Sequence, residues 1–432
     1  MGLLQKICAG SFSILLASSA TIAAPEKLTL TNALRYALQN SPELDSQTKY
    51  RAIREFERQS AVAKFLPSID LTGAHGIAKT YPMNPTDPWS SSMGLTLTEN
   101  LYDNGRSIAN LRISDLNEQY SALNAVKTRD KLILEVTNEF YNLSLLHKLF
   151  AVRGEQLRLL QQRLGSVDNQ YHQGLRTRID FLRFRTEVQR TEIDFRNSDV
   201  AIHNSENALR KLIGRTVDST PVEFQIGEPP TFGAMPAVEL EVENTFEVRL
   251  AKIQTAISPL QTSLVERKFW PQIDLTAGGN YQNLSYLGSN QAFSTNQTYG
   301  WNALVTLNFN LLDWGIRSRD VAIAQNQQSI QENQLRQTRL ELKETLGNLN
   351  LELAQVKANC DATKELQDAE QETYRIIQQQ YSEAKVSYLD LITSLKSLLN
   401  AKAEFFTAHF QLAQSLAKYN YHLGNLYEAM AL

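Results

Sequence analysis

Hydrophobic and polar positions alternate along this chain with two different periods, and each period keeps to its own stretches. Period two appears four times. First, Ile69, Leu71 and Ile77 share a face with Gly73 and His75, opposite Asp70, Thr72, Ala74 and Gly76. Second, Met93, Leu95, Leu97 and Leu101 oppose Gly94, Thr96, Thr98 and Asn100. Third, Ile273, Leu275, Ala277 and Tyr281 oppose Asp274, Thr276, Gly278 and Asn280. Fourth, Trp301, Ala303, Val305, Leu307, Phe309 and Leu311 oppose Asn302, Thr306, Asn308 and Asn310. Each stretch predicts a strand of about 10–14 residues with one apolar face and one small, polar face.

Elsewhere the spacing alternates between three and four. Leu342, Leu346, Leu349, Leu353 and Val356 form one such seam, and Val136, Phe140, Leu143, His147 and Phe150 another. This is coiled-coil spacing. His147 reads as a packing residue of its seam rather than a ligand. A proline-free helix is predicted from Asp103 to about His172, roughly 105 Å long at 1.5 Å per residue. Its return runs from about Thr177 to Arg210. The matching pair runs from about Arg317 to Tyr381 and from about Ser387 to Leu423. Shorter helices are expected over Leu34–Phe65 and Thr245–Phe269. Pro67 and Pro271 stop them, because proline disfavours helix in the residue before it.

The two sets of elements are copies. KFLPSIDLT at Lys64 returns as KFWPQIDLT at Lys268, and LYDNG at Leu101 as LLDWG at Leu311. Tyr171, Asp180 and Gly214 find Tyr381, Asp390 and Gly424 at the offset of the LYDNG pair. A duplicated unit therefore fills residues 24–214 and 245–432. Residues 215–244, with Pro221, Pro229, Pro230 and Pro236, form a linker with room for one short strand. Residues 1–23 read as a cleaved export signal: Lys6, an apolar run to Leu16, then small residues.

Export changes what the strands mean. No later stretch approaches the roughly 20 apolar residues of a membrane helix, so membrane contact has to come from strands. Long strands with one apolar face suit an outer-membrane barrel around a wet lumen. A soluble sandwich would give the same alternation. Tyr81, Trp89, Tyr286, Tyr299 and Trp301 are placed near the loop ends, as a membrane aromatic girdle touching outer-membrane lipid. Four strands cannot close a barrel, and an open edge is not tolerated in lipid. Three chains pool roughly 12 strands, which predicts a homotrimer. The narrow apolar stripes of the helices suit a hollow ring of coiled coils.

Composition excludes more than it adds. The 432-residue chain carries a net charge of −3, so no basic field points to nucleic acid. HExxH, CxxC, P-loop and GxSxG patterns are missing, and the six histidines have no metal-ligand spacing. No enzyme activity, cofactor or metal is expected. Cys8 lies in the signal, which leaves Cys360 alone and reads as buried and inert.

The hairpin turns are YHQGLRTRIDFL and YSEAKVSYLDLI, with Gly174 as the breaker in the first. They sit at the far end of the helices, the natural contact point for a partner and the natural constriction. In a trimer Asp180 and Asp390 would ring the axis and favour cations. Tyr171, Arg176 and Tyr381 would bond across neighbouring hairpins. Alternatively, the two aspartates serve the N-termini of the helices that follow.

The order of these features resembles the TolC-like outer-membrane efflux protein family over essentially the whole mature chain. The resemblance rests on LTLTNALRYALQNSPEL, the KFxPxIDLT pair, LYDNGR with LLDWGIRSR, and YHQGLRTRIDFL. It implies a mainly α fold with membrane β: a trimeric 12-stranded β-barrel, four strands per chain, continued by a long periplasmic α-helical barrel. It implies a passive exit duct of a tripartite efflux or type I secretion system, opened at its tip by a periplasmic adaptor and an inner-membrane pump. Family gates use a tyrosine, an arginine and aspartates. Tyr171, Gly174, Arg176 and Asp180 match in the first half, and Tyr381 and Asp390 in the second. Ala384 and Val386 depart from the pattern, and Thr393 stands where some members are acidic. The rival reading is a periplasmic coiled-coil adaptor.

Overall fold

The computed structural model describes residues 26–77, 89–175, 177–215, 222–224, 242–287, 293–383 and 385–430. The first unit opens with a short strand β1 (Glu26–Leu28), then helices α1 (Leu30–Asn40) and α2 (Pro42–Ala63). The single helix expected over Leu34–Phe65 is thus two. Ser41 precedes Pro42, which drives it out of helical geometry to φ −69°, ψ 119°. Its side chain then accepts the Leu44 N–H and caps α2.

Strands β2 (Ser68–Ile77) and β3 (Trp89–Tyr102) follow. Next come the long helix α3 (Arg106–His172) and its return α4 (Arg178–Leu212). In the linker, β4 (Val222–Phe224) pairs in parallel with β1. The second unit repeats the order: α5 (Phe246–Arg267), β5 (Gln272–Leu287), β6 (Phe293–Asn308), α6 (Ile316–Ser382) and α7 (Tyr388–Leu423). A final turn of helix, α8 (Leu426–Ala429), closes the chain. No described helix is long and apolar enough to cross a membrane.

The four long strands form one antiparallel sheet in the order β2-β3-β5-β6. The central β3–β5 pairing joins the two repeats, with Met93 opposite Tyr281 and Leu97 opposite Ala277. The outer strands β2 and β6 are the edges of the sheet. The fourth strand ends at Asn308, short of the Leu311 expected from the alternation. From Phe309 onward the chain turns toward α6.

Both long helices start by the same device. Asp103 accepts N–H groups from Gly105 at 2.9 Å and Ser107 at 2.7 Å. Asp313 accepts those of Gly315 at 3.1 Å and Arg317 at 3.0 Å. The reversal needs two left-handed residues, Asn104 with Gly105 and Trp314 with Gly315. This is what LYDNG and LLDWG encode.

The core is strung along the helices as separate clusters. The largest gathers Leu34, Ile133, Val136, Phe140, Leu209 and Phe410 where α1, α3, α4 and α7 meet. Others lie along the seams, with Leu346, Leu349 and Leu353 against Leu416 and Tyr419. Nearer the turns, Leu160 and Val167 meet Phe184 and Val188. The predicted seams are therefore real, and His147 sits half-buried in one of them.

Candidate functional site

Two regions carry the functional features: the four-stranded sheet and the hairpin turns. On the sheet, alternation becomes a sided surface. Ile69, Leu71, Met93, Leu95, Val305 and Leu307 are all exposed in the single chain. Burying so much apolar surface requires lipid or a second layer, and no second layer packs on the sheet among the described residues. The opposite face is polar. Asn100 donates to Asp274 Oδ1 at 2.7 Å, and Gln272 and Asn308 also donate to that carboxylate.

The expected aromatic residues are not level with one another. Trp89 begins β3 and stacks on His75 at 5.3 Å. Tyr299 meets Tyr281 at 5.1 Å, but Trp301 pairs with Gly279 in mid-strand, away from the loop end. Tyr286 lies in β5 opposite Ser294; its side chain and all of Tyr81 fall outside the described residues. A second aromatic set lies outside these five. Trp270 and Trp314 stand exposed at the opposite end of the sheet, with Tyr102 and Phe309. Its signal in the sequence is the Trp of LLDWG, which lies beyond the last alternating residue, Leu311.

At the first turn, Gly174 adopts φ +74°, and the Leu175 N–H reaches back to the Gln170 carbonyl at 2.8 Å. This is the glycine-ended helix stop the sequence suggested. The second turn makes the equivalent bond, from Lys385 N–H to the Gln380 carbonyl at 2.9 Å. Arg176 and Ala384 fall outside the described residues.

Asp180 and Asp390 both serve helix starts. Thr177 caps α4: its Oγ1 accepts the Asp180 N–H and donates to Asp180 Oδ2 at 2.8 Å. Ser387 caps α7, donating its Oγ–H to Asp390 Oδ2 at 2.6 Å and its N–H at 3.0 Å. These bonds to Ser387 hold the exposed Asp390 carboxyl below the usual carboxylate range. The cap residues, missed in the sequence, were legible as T-x-x-D and S-x-x-D before an apolar run. Tyr171 stacks on Phe181 of its own hairpin at 5.6 Å. Arg163 lies over the Tyr381 ring at 5.9 Å, linking α3 to α6.

Beside Asp180, a cleft of about 440 Å³ opens between the two return helices. Arg183 and Glu187 of α4 line one wall; Leu389, Ile392 and Lys396 of α7 line the other. Lys396 bridges to Glu187 across it at 2.7 Å. Leu175, Ile179 and Leu389 are exposed around the turns. Among the described residues, no group of three or more His, Cys, Asp and Glu gathers to hold a metal.

The profile of the outer membrane efflux protein family matches residues 33–215 and 239–425. The chain belongs to that family. One matched segment overlaps each repeat. Family membership places the sheet in the outer membrane and the helices in the periplasm. Solved structures agree on the fold. The Campylobacter jejuni CmeC outer membrane channel superposes with a TM-score of 0.81 at 14% identity, covering 98% of this chain and 94% of its own. The Vibrio cholerae outer membrane protein VceC gives 0.74 at 15% identity, over 91% of this chain and 96% of its own. The open-state Neisseria gonorrhoeae MtrE outer membrane channel gives 0.73 at 17% identity, over 91% and 88%. No curated protein sequence matches the chain.

Proposed function

We propose that three copies of this chain form a passive exit duct of a tripartite efflux or type I secretion system. The observation that carries this reading is the sheet: four strands, two open edges and one exposed apolar face. Edges of that kind are untenable in lipid, and pairing β2 of one copy with β6 of the next removes them. Three copies make a closed barrel of roughly 12 strands.

The helices support the same assembly. Ile179, Ile193 and Val200 of α4 are exposed at heptad intervals, as are Ile316, Ile323, Ile330 and Leu351 of α6. These are coiled-coil seams without a partner among the described residues of their own chain, and a neighbouring copy supplies one. The hairpin ends then converge far from the membrane. Tyr171, Gly174, Arg176, Asp180, Tyr381 and Asp390 make up the proposed gate. The cleft between α4 and α7 receives the adaptor, and the inner-membrane pump supplies the work. The contribution of the tip is closure and charge.

The test is the mass of the unheated, detergent-extracted protein by light scattering corrected for detergent. A mass near three chains is the expected result. A monomer would remove the shared barrel and favour a periplasmic coiled-coil adaptor, although an adaptor has no need of the amphipathic sheet.

A further inference from the structure

The two hairpins differ at one level of their interiors. The offset that relates Tyr171 to Tyr381 also relates Phe150 to Cys360, Phe195 to Phe405 and Asp199 to His409. In the first hairpin Phe150 and Phe195 stack at 4.3 Å and fill the space between α3 and α4. In the second that pair is gone. Cys360 Sγ on α6 instead lies 3.8 Å from His409 Nδ1 on α7. Cys360 is a buried free thiol, and the His409 ring is half-buried. Phe405 and Phe410 flank the imidazole at 5.7 Å and 6.2 Å. Packing does not require this pair, because the first hairpin closes the same level with two phenyl rings.

Thiolate sulfur and imidazole nitrogen are the donors that soft and borderline metal ions select. For zinc, a d10 ion, bonds of about 2.3 Å to sulfur and 2.0–2.1 Å to nitrogen put the two donors about 3.5 Å apart at a tetrahedral angle and about 4.4 Å apart in line. The observed 3.8 Å falls between, at a sulfur–metal–nitrogen angle of about 120°. We propose that Cys360 and His409 form a two-donor clip for a soft d10 metal ion, joining α6 to α7.

On binding, the Cys360 S–H bond breaks, a sulfur–metal bond forms, and the proton leaves to solvent. His409 gives the Nδ1 lone pair and carries its own proton on Nε2. Nothing is oxidised or reduced. With two protein donors at about 120°, the site leaves a third position to water and favours soft ions of low coordination over those that want oxygen cages. The half-buried imidazole leaves a small ion a way in. A filled clip ties the two helices together well away from the turns, and so stiffens the second hairpin.

The probe is silver(I), which is redox-inert here, titrated into the detergent-solubilised protein in chloride-free nitrate buffer. A Cys8→Ser background leaves Cys360 as the only thiol. One silver ion should bind per chain, with affinity at least about tenfold lower in His409→Phe and lost in Cys360→Ala. The unfolding midpoint of the chain with both donors intact should rise by several degrees on saturation. Undiminished affinity in His409→Phe would overturn the clip, since the thiol would then be acting alone. So would an unchanged midpoint on saturation, a readout that needs neither substitution to fold. Conductance plays no part in this measurement, so the clip and the exit-duct reading stand or fall separately.

Discussion

Asn104 and Trp314 hold the same left-handed turn in the two repeats, at φ 57° and 54°, with unequal ease. Asn tolerates that region; a bulky aromatic residue does so at roughly 1–2 kcal/mol. Trp314 is also 81% exposed, so no packing within the chain offsets the strain. Trp314→Gly should therefore raise the unfolding free energy in detergent by about 1 kcal/mol. Gly174→Ala should lower it by about the same amount. A new Cβ at Gly174 meets nothing within 4 Å, so the loss would come from backbone conformation alone. Chemical unfolding of both variants beside the parent protein checks the opposite signs. At this scale the sequence was only partly readable. Gly174 announced its turn, but alternation runs unbroken through Leu311, so nothing in the pattern reveals that the strand stops at Asn308.

Elements were far more legible, for a physical reason. Long periodic stretches repeat their signal many times, and duplication gave each element a second witness. The seam through Leu346, Leu349 and Leu353 is buried as spacing required. Short-range competition was harder to weigh, as at Ser41, where one X-Pro step outweighs the helical pattern on both sides. The α3–α4 seam also carries a pH dependence. Burial holds the His147 imidazole below its ordinary value, although Glu206 pushes the other way. Burial does the same to His422 in α7, and there too a carboxylate, Glu247, opposes it. In the unfolded chain both rings take up protons near about pH 6.5. Between that value and their lower folded values the unfolded state binds more protons, so stability falls as pH falls. The unfolding midpoint should drop between about pH 7.5 and 5.5, and a His147→Leu, His422→Phe variant should flatten that slope. Thermal melts across this range provide the check. The Asp390 interaction with Ser387 belongs to a separate window, being lost only as pH falls through the depressed carboxylate range.

At the scale of the whole molecule, the assembly and the gate were readable only as consequences of what one chain lacks. Four strands imply partners because a sheet cannot end in lipid. Which tip residues touch across chains has no such signature, since it depends on how three hairpin pairs meet. The capping geometry does provide a clean probe of tip charge. Asn in place of Asp keeps an acceptor for the cap while removing the carboxylate. Asp180→Asn with Asp390→Asn should leave the fold intact and reduce cation preference in planar-bilayer conductance. Unchanged selectivity would confine both aspartates to capping.

Helices α3 and α6 are each 67 residues long and start from the same aspartate-led turn beside the sheet. The molecule thus contains two rulers cut to one length, which is what lets both kinds of turn finish at the same depth. Loss of a single heptad from one of them would leave its turn about 10 Å short of the other. Drift in length is then a two-locus problem: neither half can lengthen or shorten alone without opening a step at the far end. Selection on reach across the periplasm must act on both copies together, long after the duplication that made them independent.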